Sequence, residues 1–503
     1  MTSSFFGLET ARRGLYAQQS SLQTISNNIA NANTEGYVRQ RVSLKQTNPY
    51  TYPSTNQSAS AGQIGTGVTV QTIERVKDDF LTMQFRSENN QLGYWSSKSD
   101  TLQMMEEVLN EPSSTGLSST LDEFWSSLED LATNPTNSGA RSVVRERGIA
   151  VAETFNYISQ SLSSIQTDLK NDLQITTEEV NSLTRQISNI NEQITSVEPN
   201  GLLPNSLYDE RDLLLDQLSS LVDIKVTKTP VGGNALDQAE GIVSVDIVDQ
   251  NGKAIHSLIE GDRVNMVSVD FDENTNLVSS LSIGTTDIQA DEYSSVGKLM
   301  ALVESYGYME GAEQKGLYPE MTKKLDEMAF TFVNEFNATH EQGWSLAEIE
   351  QGSQDDFNFF NELTKIQGAA SLMKVSEDMY DNNNIAAAES QFAGDGANAI
   401  KLAEVKNSSY SIGGQTRSLQ NFYESMIGEM AVNTQEAERM KGNSETLTNA
   451  VTERRQSVTS VSLDEEMTNM IQFQHAYNAA AKMISAQDEL LSTIINNLGV
   501  GGR

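Results

Sequence analysis

Three histidines, His256, His340 and His475, and a complete absence of cysteine limit the chemistry open to this 503-residue chain. His340-Glu341 begins like a zinc-protease helix, but that motif needs a second His four residues after the first, and Trp344 stands there. Three scattered His and no thiolate leave too few ligands for a His-based metal site. Asp270, Asp272 and Asn274 open like a calcium loop, yet Thr275 occupies the place of the turn Gly and no Glu closes the twelve-residue loop. A solvated hairpin is the better reading. Gly65 and Gly67 lack the third Gly and following helix of a dinucleotide site. Asp464, Glu465 and Glu466 follow Ser462 as a capping box, with negative charge at the positive end of a helix. His475 is expected on a helix surface. No catalytic residue, cofactor or metal is expected, and the chain reads as a protein that is not an enzyme.

Charge narrows the partners. With 34 Lys+Arg against 69 Asp+Glu, the net charge is −35. A nucleic-acid binder needs a basic surface to displace counterions, and an anionic membrane repels an acidic one. Neither nucleic acid nor membrane is therefore an expected partner. The start, MTSSFFGLETARRGLYAQQSS, has no apolar run long enough for a cleaved signal peptide. Lack of Cys suits a chain that is threaded unfolded through a pore and refolds outside.

The elements that would position such a chain are helical. All eight prolines fall outside 1–48, 136–198 and 320–503, where helical periodicity is to be sought. Leu8, Leu15, Leu22 and Ile29 recur every seven residues, with Ala11, Gln18 and Ile25 between them, a seam that one helix cannot bury alone. That pattern stops in Asn28, Asn31, Asn33, Thr34, Gly36 and Tyr37, read as a helix end and turn, and 48–68 reads as extended or loose. Phe155 to Val197 repeats apolar residues at steps of three and four, predicting a helix on the order of 60 Å long. Phe124 and Trp125, in phase with Leu121, Leu128 and Leu131, read as core. Alternating valines and isoleucines over 222–290, with Asn251-Gly252 between two runs, predict antiparallel strands and a hairpin. Leu325, Met328, Phe332 and Phe336 share a helix face, and 343–415 reads as short helices and loops. The last helix repeats Leu463, Met470, Tyr477, Ile484, Leu491 and Leu498, interleaved by Met467, Gln474, Ala481, Asp488 and Ile495. A further row of Phe473, Ala480, Met483, Leu490 and Ile494 widens the stripe beyond what one partner helix covers.

The fold class is thus α+β: an elongated multidomain protein with terminal coiled-coil helices and a helical bundle carrying an inserted antiparallel β domain. Its expected parts are an axial helix and extended segment (1–70), a helical domain in two stretches (71–221 and 295–455), the β domain (222–294) and a C-terminal axial helix (456–503). Subunit-interface residues are expected along both seams: Leu8, Leu15, Leu22, Ile25 and Ile29, then Leu463, Met467, Met470, Tyr477, Ile484, Leu491, Ile495 and Leu498. Gln474 and Asp488 are expected to set register between neighbours.

The N-terminal run FFGLETARRGLYAQQSSLQTISNNIANANTEGYVRQ resembles the rod, hook and hook-associated family of flagellar axial proteins, with Asn28, Asn31, Asn33, Thr34, Gly36 and Tyr37 as its distinctive residues. The C-terminal SVSLDEEMTNMIQFQHAYNAAAKMISAQDELLSTIINNL is similar to the matching end of that family. EPSSTGLSSTLDEFWSSLEDLATNP (111–135), LYDERDLLLDQLSSLVDIKV (207–226) and Ala338 to Gly343 with Phe359-Phe360 resemble the members that join hook to filament. Trp344 departs from that pattern, where an acidic residue is expected. The resemblance implies a structural subunit of the extracellular bacterial flagellum, exported by the flagellar type III apparatus without a cleaved signal. It implies assembly with further copies of itself in a ring, with the hook protein and with hook-associated protein 3, and an export chaperone on the C-terminal helix. The other readings are the hook subunit or hook-associated protein 3 itself, and a secreted adhesin or enzyme.

Overall fold

The computed structural model describes residues 4–50, 65–111, 113, 116–355 and 357–498, the side chains of Ser4, Asn497 and Leu498 excepted. Most of the stretch expected to be loose, 51–64, lies outside the described residues, as does the side chain of Leu498.

Helix α1 (Ser4–Ala30) leads through the Asn-rich turn into strand β1 (Gln40–Gln46), which pairs antiparallel with β2 (Val68–Arg75). This hairpin was not expected from the sequence: its alternation is short, and a bulge between Ser43 and Leu44 breaks the period of two. Helix α2 (Asp79–Leu109) starts where the Asp78 carboxylate accepts the Phe80 and Leu81 amides, and ends at Asn110 in the left-handed region. After α3 (Leu117–Thr133) comes α4 (Ser138–Val197), 60 residues and about 90 Å long. It is longer than the apolar rhythm predicted, because Asn137 caps it at Gly139 and Ala140, well before Phe155. Pro199 and the left-handed Gly201 end it. The predicted stripe is its buried face, from Phe155 through Leu162, Leu173, Val180 and Ile187 to Ile194.

Helix α5 (Asn205–Leu221) delivers the chain to two small sheets. One runs β3 (Ile224–Thr229), β4 (Ile242–Val248), β5 (Ala254–Glu260), β6 (Arg263–Val264), and the β4–β5 turn is Asn251-Gly252 as predicted, Gly252 having φ 75°. The other comprises β7 (Val267–Phe271), β8 (Val278–Ile283) and β9 (Thr286–Gln289). Past helix α6 (Lys298–Tyr306) it gains the hairpin of β10 (Tyr308–Glu310) and β11 (Glu313–Lys315), joined to β8 by one parallel bridge. Strand structure therefore reaches Lys315. Asparagines of α4 bond to both sheets: Asn191 exchanges both hydrogen bonds with the Val243 backbone of the inner strand β4 (2.8 and 3.1 Å), and Asn181 does so with Val267 of the edge strand β7 (both 2.7 Å).

Helix α7 (Leu317–Glu341) carries Phe332 and Phe336 against Phe124 and Trp125 of α3 and against Phe359-Phe360, with ring centroids 4.9–6.3 Å apart. Gly148 of α4 makes room for this cluster, since a Cβ there would lie 2.6 Å from the Phe359 ring. The segment 343–415 is irregular yet packed, with α8 (Leu346–Gln351), α9 (Ala369–Leu372), α10 (Ala397–Glu404) and β12 (Tyr410–Ile412). Buried Ala369, Ala370, Met379 and Ala386–Ala388 lie within it. After β13 (Gln415–Arg417), helix α11 (Leu419–Thr459) runs beside α2, and α12 (Leu463–Leu498) returns to α1.

Candidate assembly interface

The two chain ends form an antiparallel helix pair: Gly7 lies against Gln487 at one end, and Asn28 against Glu466 at the other. On α1 the deepest face is Ala17, Ser21, Thr24, Ile25 and Asn28, while Leu8, Leu15, Leu22 and Ile29 are half-buried beside it. On α12, Met470, Tyr477, Ile484 and Leu491 are half-buried. Leu463, Met467 and Ile495, from the same expected seam, are exposed, Ile495 at 68%. Ile471, Met483, Leu490 and Ile494 are exposed as well. Gln474 and Asp488 also face solvent. One partner helix thus covers the middle of the stripe and leaves apolar residues open on both of its flanks.

The Asn-rich turn has a defined geometry. Asn28, 1% exposed, donates to the Gln40 carbonyl (2.8 Å) and accepts from the Gln40 amide (3.0 Å) and the Tyr37 hydroxyl (2.8 Å). Only an amide side chain both donates and accepts in this way. Asn31 donates to the Asn27 carbonyl and accepts from Thr34, whose own carbonyl takes the Tyr37 amide. Gly36 has φ 77°, and a Cβ there would press on Leu213 of α5 at 3.3 Å. Asn33 is exposed. Burial, with the charges of Asp209 and Glu466, pushes the Tyr37 hydroxyl up to about 12, so it stays a donor.

Two groups of functional residues were missed in the sequence. Glu466 is not a helix cap: it is 2% exposed, takes Arg39 Nε at 2.8 Å and accepts from Asn28 at 3.3 Å. The capping box is only half formed, Ser462 Oγ accepting the Glu465 amide while the Glu465 carboxylate pairs with Arg39. The second group is an ionic cluster where the β1–β2 hairpin meets the helical body. Arg75 binds Asp209 (2.8 Å), Asp212 (2.9 Å) and Glu240; Lys77 binds Asp212 and Glu240; Arg86 binds Asp216. These charges lie far apart in sequence with no spacing rule to join them.

The chemistry weighed from the sequence falls elsewhere. His340 is buried, donating from Nδ1 to the Phe357 carbonyl and accepting the Ala386 amide at Nε2, and burial holds it down to about 4. Asp272 accepts the amides of Asn274 and Thr275 and closes the β7–β8 hairpin. His475 lies on the exposed face of α12. Among the described residues no group of three or more His, Cys, Asp or Glu could hold a metal ion, and no helix is long and apolar enough to cross a membrane.

Residues 8–37 match the flagella basal body rod protein family and 457–498 the flagellar basal body rod FlgEFG protein C-terminal family. Residues 102–360 match the flagellar hook-associated protein FlgK helical domain. The chain is 50% identical to flagellar hook-associated protein 1 of Bacillus subtilis, over the whole of both chains. It is 24% identical to the Salmonella typhimurium protein of that name, over 97% of this chain and 98% of that one. A solved structure of the flagellar hook junction protein FlgK from Burkholderia pseudomallei shares the fold: TM-score 0.57 and 13% identity, covering 74% of this chain and all of that one. The chain belongs to the flagellar hook-associated protein 1 family, a family of flagellar structural proteins.

Proposed function

We propose that the chain is a structural adaptor, without enzymatic activity, at the junction of flagellar hook and filament, assembled by packing of α1 and α12 between neighbouring copies. Exposed apolar residues on both flanks of the α12 seam, Met467 and Ile495 on one side and Met483, Leu490 and Ile494 on the other, carry this reading, because one partner helix leaves both flanks in need of further partners. The same surface suits the other partners that family membership suggests: the hook protein below, hook-associated protein 3 on the filament side, and an export chaperone that covers α12 before secretion. Export in an unfolded state fits the lack of cysteine. Deletion of residues 463–503 tests the role: cells carrying the truncated chain should build hooks without attached filaments, and filaments that remain attached would overturn the reading.

A further inference from the structure

The terminal module of α1, β1, β2 and α12 is joined to the helical body by two chain crossings, residues 76–78 and 460–462. Arg39 is bonded to both. Its amide donates to the Thr459 carbonyl at 2.9 Å, at the end of α11, and its carbonyl accepts the Val76 amide at 2.8 Å, just before α2. Its guanidinium then spans to the first turn of α12, Nη1 to Glu465 at 2.7 Å and Nε to Glu466 at 2.8 Å. Glu466 in turn receives the Asn28 amide from α1.

The base of the hairpin is fixed to the body independently, by Arg75 and Lys77 in the ionic cluster and by Gly36 against Leu213. Between α11 and α12, by contrast, Ser460, Val461 and Ser462 form a short non-helical link. A link of that length permits α12 to swing unless a side-chain contact stops it.

We infer that Arg39 is the pin of a joint: its contact with Glu466 sets the angle of the paired terminal helices on the body. The planar fork suits the task because it holds two carboxylates at once in fixed directions. Glu465 is the exposed member of the pair and contributes little; Glu466, desolvated, holds the angle. This inference concerns the single chain and stands whether or not α12 mediates assembly.

Because the chain has no cysteine, two can be introduced for spin labels with no background. Gln435→Cys on α11 and Asn478→Cys on α12, both exposed positions, report the angle across the joint; Gln435→Cys with Gln174→Cys on α4 reports the body. In the monomer, Glu466→Gln and Arg39→Ala should each broaden the α11–α12 distance distribution about twofold, with the α11–α4 distance unchanged. Glu465→Gln should leave both as in the parent. Should Arg39→Ala fail to fold, Glu466→Gln keeps the shape and Asn28's acceptor and decides alone. A folded Glu466→Gln chain with the parent's narrow α11–α12 distribution overturns the inference, as does equal broadening by Glu465→Gln.

Discussion

Asn28, Asn181, Asn191 and Asn337 each turn a side-chain amide toward the peptide of a distant residue and both donate to it and accept from it. Each stands on a helix and satisfies backbone groups of an extended segment or strand that would otherwise lack a partner. Replacing Asn28 by Ala should therefore cost about 2–3 kcal/mol of terminal-module stability, read as lost hydrogen-exchange protection over α1. Asn33→Ala, at an exposed position, should stay within about 0.5 kcal/mol. Two buried titratable groups give pH effects of opposite sign. Burial pushes the Asp209 carboxyl up to about 6 against the pull of Arg75, so the folded chain takes a proton before the unfolded one does. That group adds stability as pH falls through 6 toward the unfolded value near 3.8. His340, held down to about 4 from 6.5, contributes stability that is present above 6.5 and lost as pH falls toward 4. Urea titrations at pH 7 and pH 5 should show Asp209→Asn losing the acid gain and His340→Gln losing the acid loss, each relative to the parent.

Packing between elements separates a rigid body from dependent ends. The α3–α7 aromatic cluster is closed by Gly148, so Gly148→Ala must push a Cβ into the Phe359 ring. It should lower stability by about 1–3 kcal/mol in thermal unfolding, in line with overpacking of a dense core. The α1–α12 pair has no comparable core: most of its apolar residues are half-buried or exposed. Helices with a seam only partly covered are marginal in water. In dilute monomer, residues 5–30 should exchange amide hydrogens faster than α3 and α4, and slow down on assembly. Full protection of α1 in the monomer would contradict this. One outward flank of α12 separates folding from assembly: Met483→Gln with Leu490→Gln should leave the monomer's unfolding midpoint nearly unchanged. Self-association, followed by sedimentation, should weaken sharply. A large loss of monomer stability would show instead that this face is needed within one chain.

Across the whole molecule, a long helical body is tied to a two-helix terminal module through the hairpin base, the ionic cluster and Arg39. Much of this was legible along the chain, since it depends on local periodicity and local turn chemistry. The stripe of α4, the seams of α1 and α12, the core positions of Phe124 and Trp125, and the Asn251-Gly252 turn all follow from residue spacing of 3.5, 3.6 or two, or from a dipeptide that tolerates positive φ. The width of the α12 stripe implies more than one neighbour, and within the chain α1 covers only part of it. The β1–β2 hairpin was not legible, because its strands are short, bulged and separated by a long connection. Nor was the role of Glu466, which at the start of a helix looks like one more capping acid until Arg39 is brought to it from 427 residues away. Arg75, Asp209, Asp212 and Glu240 show the same limit: charged residues carry no sequence mark of the partner they will meet. Periodicity determined which faces are apolar, while local capping, as at Asn137, set where helices begin. Which buried charges meet, and hence how the ends are held on the body, only the tertiary structure decided, because long-range ion pairs depend on geometry that no local pattern encodes.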